Sequence, residues 1–176
     1  VPLKFTAFDY LCSMKTRTMF LASIILALFA SFFIIRNMKS AEAPVIPGLV
    51  DLNNTQFDAY ELSDQVFIIS YFQTWCGDCV KERPYLEKLQ NHFGKDKLKI
   101  LLVSDEDVDL LQKYRIKFPS NLNYYHTSKS LKKDLSIKAF PTTYLYGKDG
   151  KVKLIKVEGI DWYNDAVIKQ IEELLK

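Results

Sequence analysis

Two cysteines, Cys76 and Cys79, stand two residues apart in the run Trp75-Cys76-Gly77-Asp78-Cys79. The run follows an apolar stretch that reads as a buried strand, Val66 to Phe72, and precedes one with helical spacing, from about Asp78 to Phe93. In the first turn of a helix, residues i and i+3 lie about 5–6 Å apart, a Cα separation that a disulfide tolerates. The open N–H groups and the positive end of the helix dipole favour a thiolate on the first cysteine. Such a pair alternates between dithiol and disulfide, with one sulfur able to attack. Two other readings use the same residues. A zinc site needs further Cys or His ligands; Cys12, His92 and His126 are the candidates, and none forms a second short-spaced pair. A structural staple across two residues constrains little chain. Redox chemistry is the reading favoured, with no metal and no cofactor beyond the disulfide; no GxGxxG for a flavin or nicotinamide is present.

The 176 residues suit one domain plus extras, and 48 % hydrophobic residues suffice for a normal core. A net charge of +3, with acids and bases interleaved, gives no basic tract for nucleic acid. Three cysteines are too few for a disulfide scaffold. The strand through Ile69, apolar on both faces, predicts the centre of a sheet covered by helices on both sides. The helix after it places Val80, Leu86, Leu89 and Phe93 near one face, carries Pro84 inside and ends at Gly94. Lys99 to Ser104 reads as a parallel strand. Asp105 is placed to cap a helix to about Tyr114. Asn123 to His126 reads as a short strand, and Ser128 opens a short helix with Leu131 and Leu135 inward. Thr142–Tyr146 and Val152–Val157 form an antiparallel hairpin. Asp161 is placed to cap a last helix with Tyr163, Val167, Ile171 and Leu174 at helical spacing. Leu49–Leu52 and Gln56–Leu62, joined at Asn53-Asn54, read as a small hairpin.

Ahead of this lie three segments. Residues 1–17 read as a cytoplasmic N-terminal stretch, and Met14-Lys15-Thr16-Arg17 as the natural start. If Cys12 lies within the chain, it is a free thiol on that side. Residues 18–35 carry no charge and, at about 1.5 Å per residue, span roughly 27 Å, near the hydrocarbon thickness. They read as a transmembrane anchor, being longer than the h-region of a cleaved signal; a signal peptide cut near Ala41-Glu42-Ala43 is the alternative. Lys4, Lys15 and Arg17 before the span, against Arg36 and Lys39 after it, place the N-terminus in the cytoplasm. Residues 36–46 form a short linker, proline-rich at its end, and 47–176 the folded domain.

Trp-Cys-Gly-x-Cys after an apolar strand, with Pro84 five residues beyond Cys79, resembles thioredoxin, and Phe140-Pro141-Thr142-Thr143 resembles its cis-proline segment. Asp51-Leu52-Asn53, Tyr60-Glu61-Leu62-Ser63, Thr74 to Cys79, Lys81-Glu82, Phe118-Pro119 and Lys148-Asp149-Gly150 are most similar to the membrane-tethered TlpA/ResA branch of thioredoxin-like thiol-disulfide oxidoreductases. The resemblance covers roughly Pro47 to the C-terminus. It implies an α/β thioredoxin-like fold, a central mixed sheet flanked by helices, with an N-terminal β-hairpin and one preceding transmembrane helix. It implies a domain on the extracytoplasmic, periplasmic side that reduces disulfides of exported proteins, with apocytochrome c maturation one task. Its electrons would come from a membrane thiol donor.

Within that reading Cys76 is the attacking sulfur, exposed at the helix end, and Cys79 the more buried resolving one. Gly77 allows close approach of a partner, Trp75 shields the pair, and a cis Pro141 after Phe140 offers backbone to a substrate strand. Asp78 replaces the more usual proline. A carboxylate about 8 Å from the sulfur, at an effective dielectric of about 40, disfavours the thiolate by about 1 kcal/mol. The helix terminus favours it by about 0.3–1 kcal/mol, so a near-normal Cys76 thiol and a reducing pair are expected. Ser70 stands six residues before Cys76, where many thioredoxins carry a buried acid. Glu82 is a substitute one turn beyond Cys79, although an exposed helix charge is the simpler reading. His92 and His126 read as surface or packing residues. A peroxiredoxin-type thiol peroxidase would need an activating Thr and Arg around one cysteine, and Thr74 stands too close to Cys76. A Sco-like copper chaperone would space its cysteines by three and add a distal His.

Overall fold

The computed structural model describes residues 48–159 and 161–176, and Phe29. The cytoplasmic stretch, the span 18–35 apart from Phe29, the linker and the site near Ala43 lie outside the described residues. No helix among the described residues is long and apolar enough to cross a membrane.

Six strands form one mixed sheet: β1 (Leu49–Asp51), β2 (Val66–Tyr71), β3 (Leu98–Ser104), β4 (Asn123–Thr127), β5 (Thr142–Tyr146) and β6 (Val152–Val157), in the order β1-β4-β3-β2-β5-β6. β2, β3 and β4 run parallel, while β5, β6 and β1 are antiparallel to their neighbours. Every residue of β2 is buried, as the centre of a covered sheet requires. The parallel connections run through α1 (Gly77–Phe93) and α2 (Val108–Lys117), and α3 (Asp165–Leu175) closes the chain.

Among the described residues, α1, α2 and α3 all feed one core. Leu86 and Leu89 of α1, Leu111 and Tyr114 of α2, and Val167 and Ile171 of α3 join Ile68, Ile100, Leu102 and Leu145 in a single cluster. The opposite face, with Phe67, Ile69, Tyr71, Leu101 and Val103, is covered by Phe57, Leu131 and Ile137 from irregular segments. The expectation of helices on both sides is therefore corrected. Strands β2, β3 and β4 step across the sheet in one direction, and right-handed crossovers then put both helices on the same face.

Four local expectations also change. The N-terminal hairpin shrinks to a bridge between Val50 and Gln56, and Ala59–Leu62 is a 3-10 turn capped by Asp58. Asp51 turns its carboxylate onto the amides of Asn53 and Thr55, which bends the chain at once, and β1 pairs with β4 instead. Asp105 caps nothing: α2 begins three residues later, and the Asp105 carboxylate holds Gln73 and the Leu131 amide. Residues 131–134 form turns and 135 a bend, not a helix. The cap of α3 is Asn164, whose side chain accepts from the Val167 amide, while Asp161 holds the Tyr163 amide.

Leu86 is fully buried, whereas Ile116 on α2 is 79 % exposed. Leu86→Ala is expected to lower stability by about 2–5 kcal/mol, and Ile116→Ala by under about 0.5 kcal/mol. Urea unfolding of both variants checks the assignment of the helix faces.

Candidate functional site

The site lies at the carboxyl ends of the parallel strands, where the chain leaves β2 for α1. Phe72 keeps one last sheet bond to the Val103 carbonyl. The following loop is then held by two acids from the end of β3. The Gln73 amide nitrogen donates to Asp105 Oδ1 at 2.6 Å. The Thr74 amide and hydroxyl donate to the two oxygens of Glu106 at 2.6 and 2.8 Å. Glu106 is itself fixed, its carbonyl 2.9 Å from His126 Nδ1 and one carboxylate oxygen accepting from Ser104. His126 thus supports the loop that presents the cysteines, and His92 packs on Phe93 and Tyr163 at the far end of α1.

Cys76 and Cys79 form a disulfide, their Cα atoms 5.3 Å apart. Cys76 is the N-cap of α1: its sulfur accepts from the Cys79 amide at 3.1 Å. This sulfur meets one of the first-turn N–H groups, as the motif position predicts. The expected contrast in exposure is absent, with Cys76 at 6 % and Cys79 at 4 %. Position on the helix dipole, not access, distinguishes the two sulfurs in the oxidised form.

The Phe140–Pro141 peptide bond is cis. Phe140 meets Trp75 edge-on, ring centroids 6.0 Å apart, so the cis-proline and cysteine segments share one surface. Trp75 is 68 % exposed and leaves most of its ring to a partner. The Glu158 amide donates to the Pro141 carbonyl at 2.8 Å. Next to it Gly159 has φ +36°, and a Cβ there would stand 3.1 Å from Asp78 Cβ. The segment after β6 therefore closes against the first turn of α1, and glycine permits that approach. Gly77 is exposed, with open space where a Cβ would stand. Asp78 is not a lone charge: its carboxylate accepts from Lys81 at 2.8 Å, both exposed, which offsets part of the effect expected on Cys76.

Glu82 departs most from expectation. It is 3 % exposed, not a surface charge. Its Oε1 accepts from the Trp162 indole at 2.7 Å and its Oε2 from the Ser70 hydroxyl at 3.0 Å. The Thr143 hydroxyl lies 3.0 and 3.2 Å from the two oxygens. Burial pushes the carboxyl above its ordinary value, opposed by these hydrogen bonds and the Lys156 charge. A cavity of about 10 Å³ is lined by Cys79, Glu82, Ser70, Arg83 and Tyr114 among others, so sulfur and acid border one space. Spacing carried the signal: Cys79, Glu82, Leu86, Leu89 and Phe93 recur at i, i+3, i+7, i+10 and i+14, the inward stripe of α1. Trp162 and Glu106 left no comparable mark in the sequence, and Thr143 figured there only within the cis-proline resemblance. Among the described residues no three of His, Cys, Asp and Glu gather as metal ligands would.

A profile described as the AhpC/TSA family matches residues 37–155, more than half of the chain. The chain belongs to the AhpC/TSA family. Among its relatives in the family's thioredoxin-like branch, the thiol-disulfide oxidoreductase ResA of Halalkalibacterium halodurans is 24 % identical over 154 residues, 84 % of each chain. ResA of Bacillus thuringiensis subsp. konkukian is 24 % identical over 133 residues, 73 % of this chain and 72 % of that protein. The thioredoxin domain of a thiol-disulfide oxidoreductase from Bacteroides vulgatus superposes with a TM-score of 0.64 at 25 % identity, covering 78 % of this chain and 97 % of that one. This AhpC/TSA member has a thioredoxin-like α/β fold and is an enzyme of the thiol-disulfide oxidoreductase class, of the ResA type.

Because Glu82 binds its proton more tightly folded than unfolded, the folded state carries the extra proton between those two values. Stability from this group is full below its ordinary value near 4.5 and is lost as pH rises through the raised folded value. Urea unfolding across that window should show stability falling with pH in the native protein. The slope should flatten in Glu82→Gln.

Proposed function

We propose that the protein reduces disulfides of other exported proteins, with Cys76 the attacking sulfur and Cys79 the resolving one. The carrying observation is the Cys76–Cys79 disulfide at the N-terminus of α1, beside cis-Pro141 and above the buried Glu82. In the reduced enzyme the Cys76 thiolate attacks one sulfur of a partner's disulfide. A mixed disulfide forms and the other partner sulfur leaves as a thiolate, which takes up a proton. Cys79 passes its proton to the Glu82 carboxylate and attacks the Cys76 sulfur. The enzyme disulfide closes, and the second partner sulfur leaves and is protonated. Two electrons pass from the enzyme dithiol to the partner. A dithiol donor of the membrane restores the enzyme dithiol by the reverse exchange, giving up two electrons and closing its own two sulfurs into a disulfide.

Trp75 and Phe140 supply apolar area for the partner chain, and the backbone at Phe140 offers hydrogen bonds to it. Gly77 leaves open space beside the attacking sulfur, and Asp78 adds negative charge that Lys81 partly offsets. With acids beside and beneath the pair, the dithiolate form gains little stabilisation, which supports a reducing role. Residues 18–35 anchor the enzyme, the domain 47–176 works on the periplasmic side, and apocytochromes c are a substrate class that fits. A peroxidase reading finds no support in the loop, where the Thr74 hydroxyl is taken by Glu106 and the Arg83 side chain by the Phe118 carbonyl.

Two measurements test this. Cys79→Ser should accumulate a mixed disulfide with a disulfide-bonded protein such as insulin, and Cys76→Ser should accumulate none; trapping by Cys76→Ser alone would reverse the assignment. The reduction potential of the pair, equilibrated against glutathione or thioredoxin, should fall below about −230 mV, and a value above about −150 mV would make the protein a disulfide donor.

A further inference from the structure

Ser70, Thr143 and Lys156 stand directly opposite one another on three adjacent strands, β2, β5 and β6. All three bear on the Glu82 carboxyl, two through hydroxyls at hydrogen-bond distance and Lys156 through its charge. Trp162 completes the enclosure. Its indole donates to Glu82 Oε1, and Lys156 Nζ sits 5.0 Å from the centre of its ring.

The donors differ in kind. An indole N–H only donates, whereas a hydroxyl donates or accepts. Oε1 accepts from Trp162, which cannot reverse, and shares the Thr143 hydroxyl with Oε2, so it is the oxygen less free to take a proton. Oε2 faces Ser70, which can reverse its hydrogen bond and accept from a protonated acid. Ser70 also lines the small cavity that Cys79 borders, and Trp162 does not. We infer that Trp162 and Lys156 are positioning residues that fix Oε2, on the Cys79 side, as the oxygen that takes the proton, and that hold Glu82 ready to accept it. The inference rests on the reading of Glu82 as proton acceptor for Cys79.

The charged and titratable groups around Glu82 are few. On its own helix stand Cys79 and Arg83, whose guanidinium is turned to the Phe118 carbonyl and Glu87. Tyr114 of α2 lines the same cavity. From β6 comes Lys156, whose own ammonium is pushed down by burial and supported by Asp161 and Glu82. Removing the indole donor or the ammonium weakens the carboxylate more than the neutral acid, because each interaction is stronger with the charged form. Each change should therefore raise the pH at which Glu82 loses its proton.

The test uses the reduced full-length protein and oxidised glutathione as the probe, with the rate followed across the acid-to-neutral range. Glu82→Gln identifies the limb of the profile that belongs to Glu82 by deleting it. Trp162→Phe keeps the packing and loses the donor, and its limb should move up by about one pH unit, the size of one hydrogen bond to a charged group. Lys156→Met should move it the same way by less, and carries the test should Trp162→Phe fail to fold. A loss of thermal stability with an unmoved midpoint in both variants would reduce Trp162 and Lys156 to packing and overturn the inference. Persistence of the limb in Glu82→Gln would instead overturn the role given to Glu82 itself.

Discussion

A carboxyl group almost wholly withdrawn from water must find its hydrogen-bond partners in the protein, and Glu82 draws them from every layer of the fold. Its donors come from the central strand, from the neighbouring strand after the cis-proline and from the segment that leads into the last helix. Ionised and without those donors, it would cost several kcal/mol. The same contacts therefore set how α1 sits on the sheet and how the chain returns after β6. They also fix what lies beneath the disulfide, because Glu82 is one turn beyond Cys79 on the inward stripe of the helix.

A second set of acids works at the surface of the same end. Asp105 and Glu106 reach back from β3 to the loop before Cys76 and take its donors. Asp105 also takes the amide of Leu131, from the segment that runs on to the cis-proline. One side chain thus links the two halves of the redox surface. The acids have separate tasks: those after β3 hold backbone in place, and the one in α1 is kept from water, where its proton affinity rises. The division follows from depth, since burial penalises a charge steeply and a partly exposed carboxylate is an inexpensive anchor.

The sequence alone determined the redox pair, its place at a helix start, the central strand and the hairpin of β5 and β6, whereas the cis-proline segment was legible only through its resemblance to thioredoxin. Each is a local property: the spacing of two cysteines, an unbroken apolar run, turn residues between alternating strands. It overreached where a local signal had a distant competitor. Asp105 looks like a helix cap in isolation, yet its carboxylate holds Gln73 and the Leu131 amide, while Asp161 lost the cap to a near neighbour, Asn164. Leu49 to Asp51 looks like half of a hairpin, yet its better partner is β4, 74 to 78 residues on.

Only the tertiary structure decided the fate of Glu82. The helical stripe that includes it was readable, but an acid on such a stripe is stable there only if donors meet it, and those donors are Ser70, Thr143 and Trp162, separated from it by 12, 61 and 80 residues. No local pattern records that Ser70 and Thr143 stand opposite each other, or that Trp162 returns over the end of α1. Sheet register and helix packing bring them together, and both are set by the burial of the whole core.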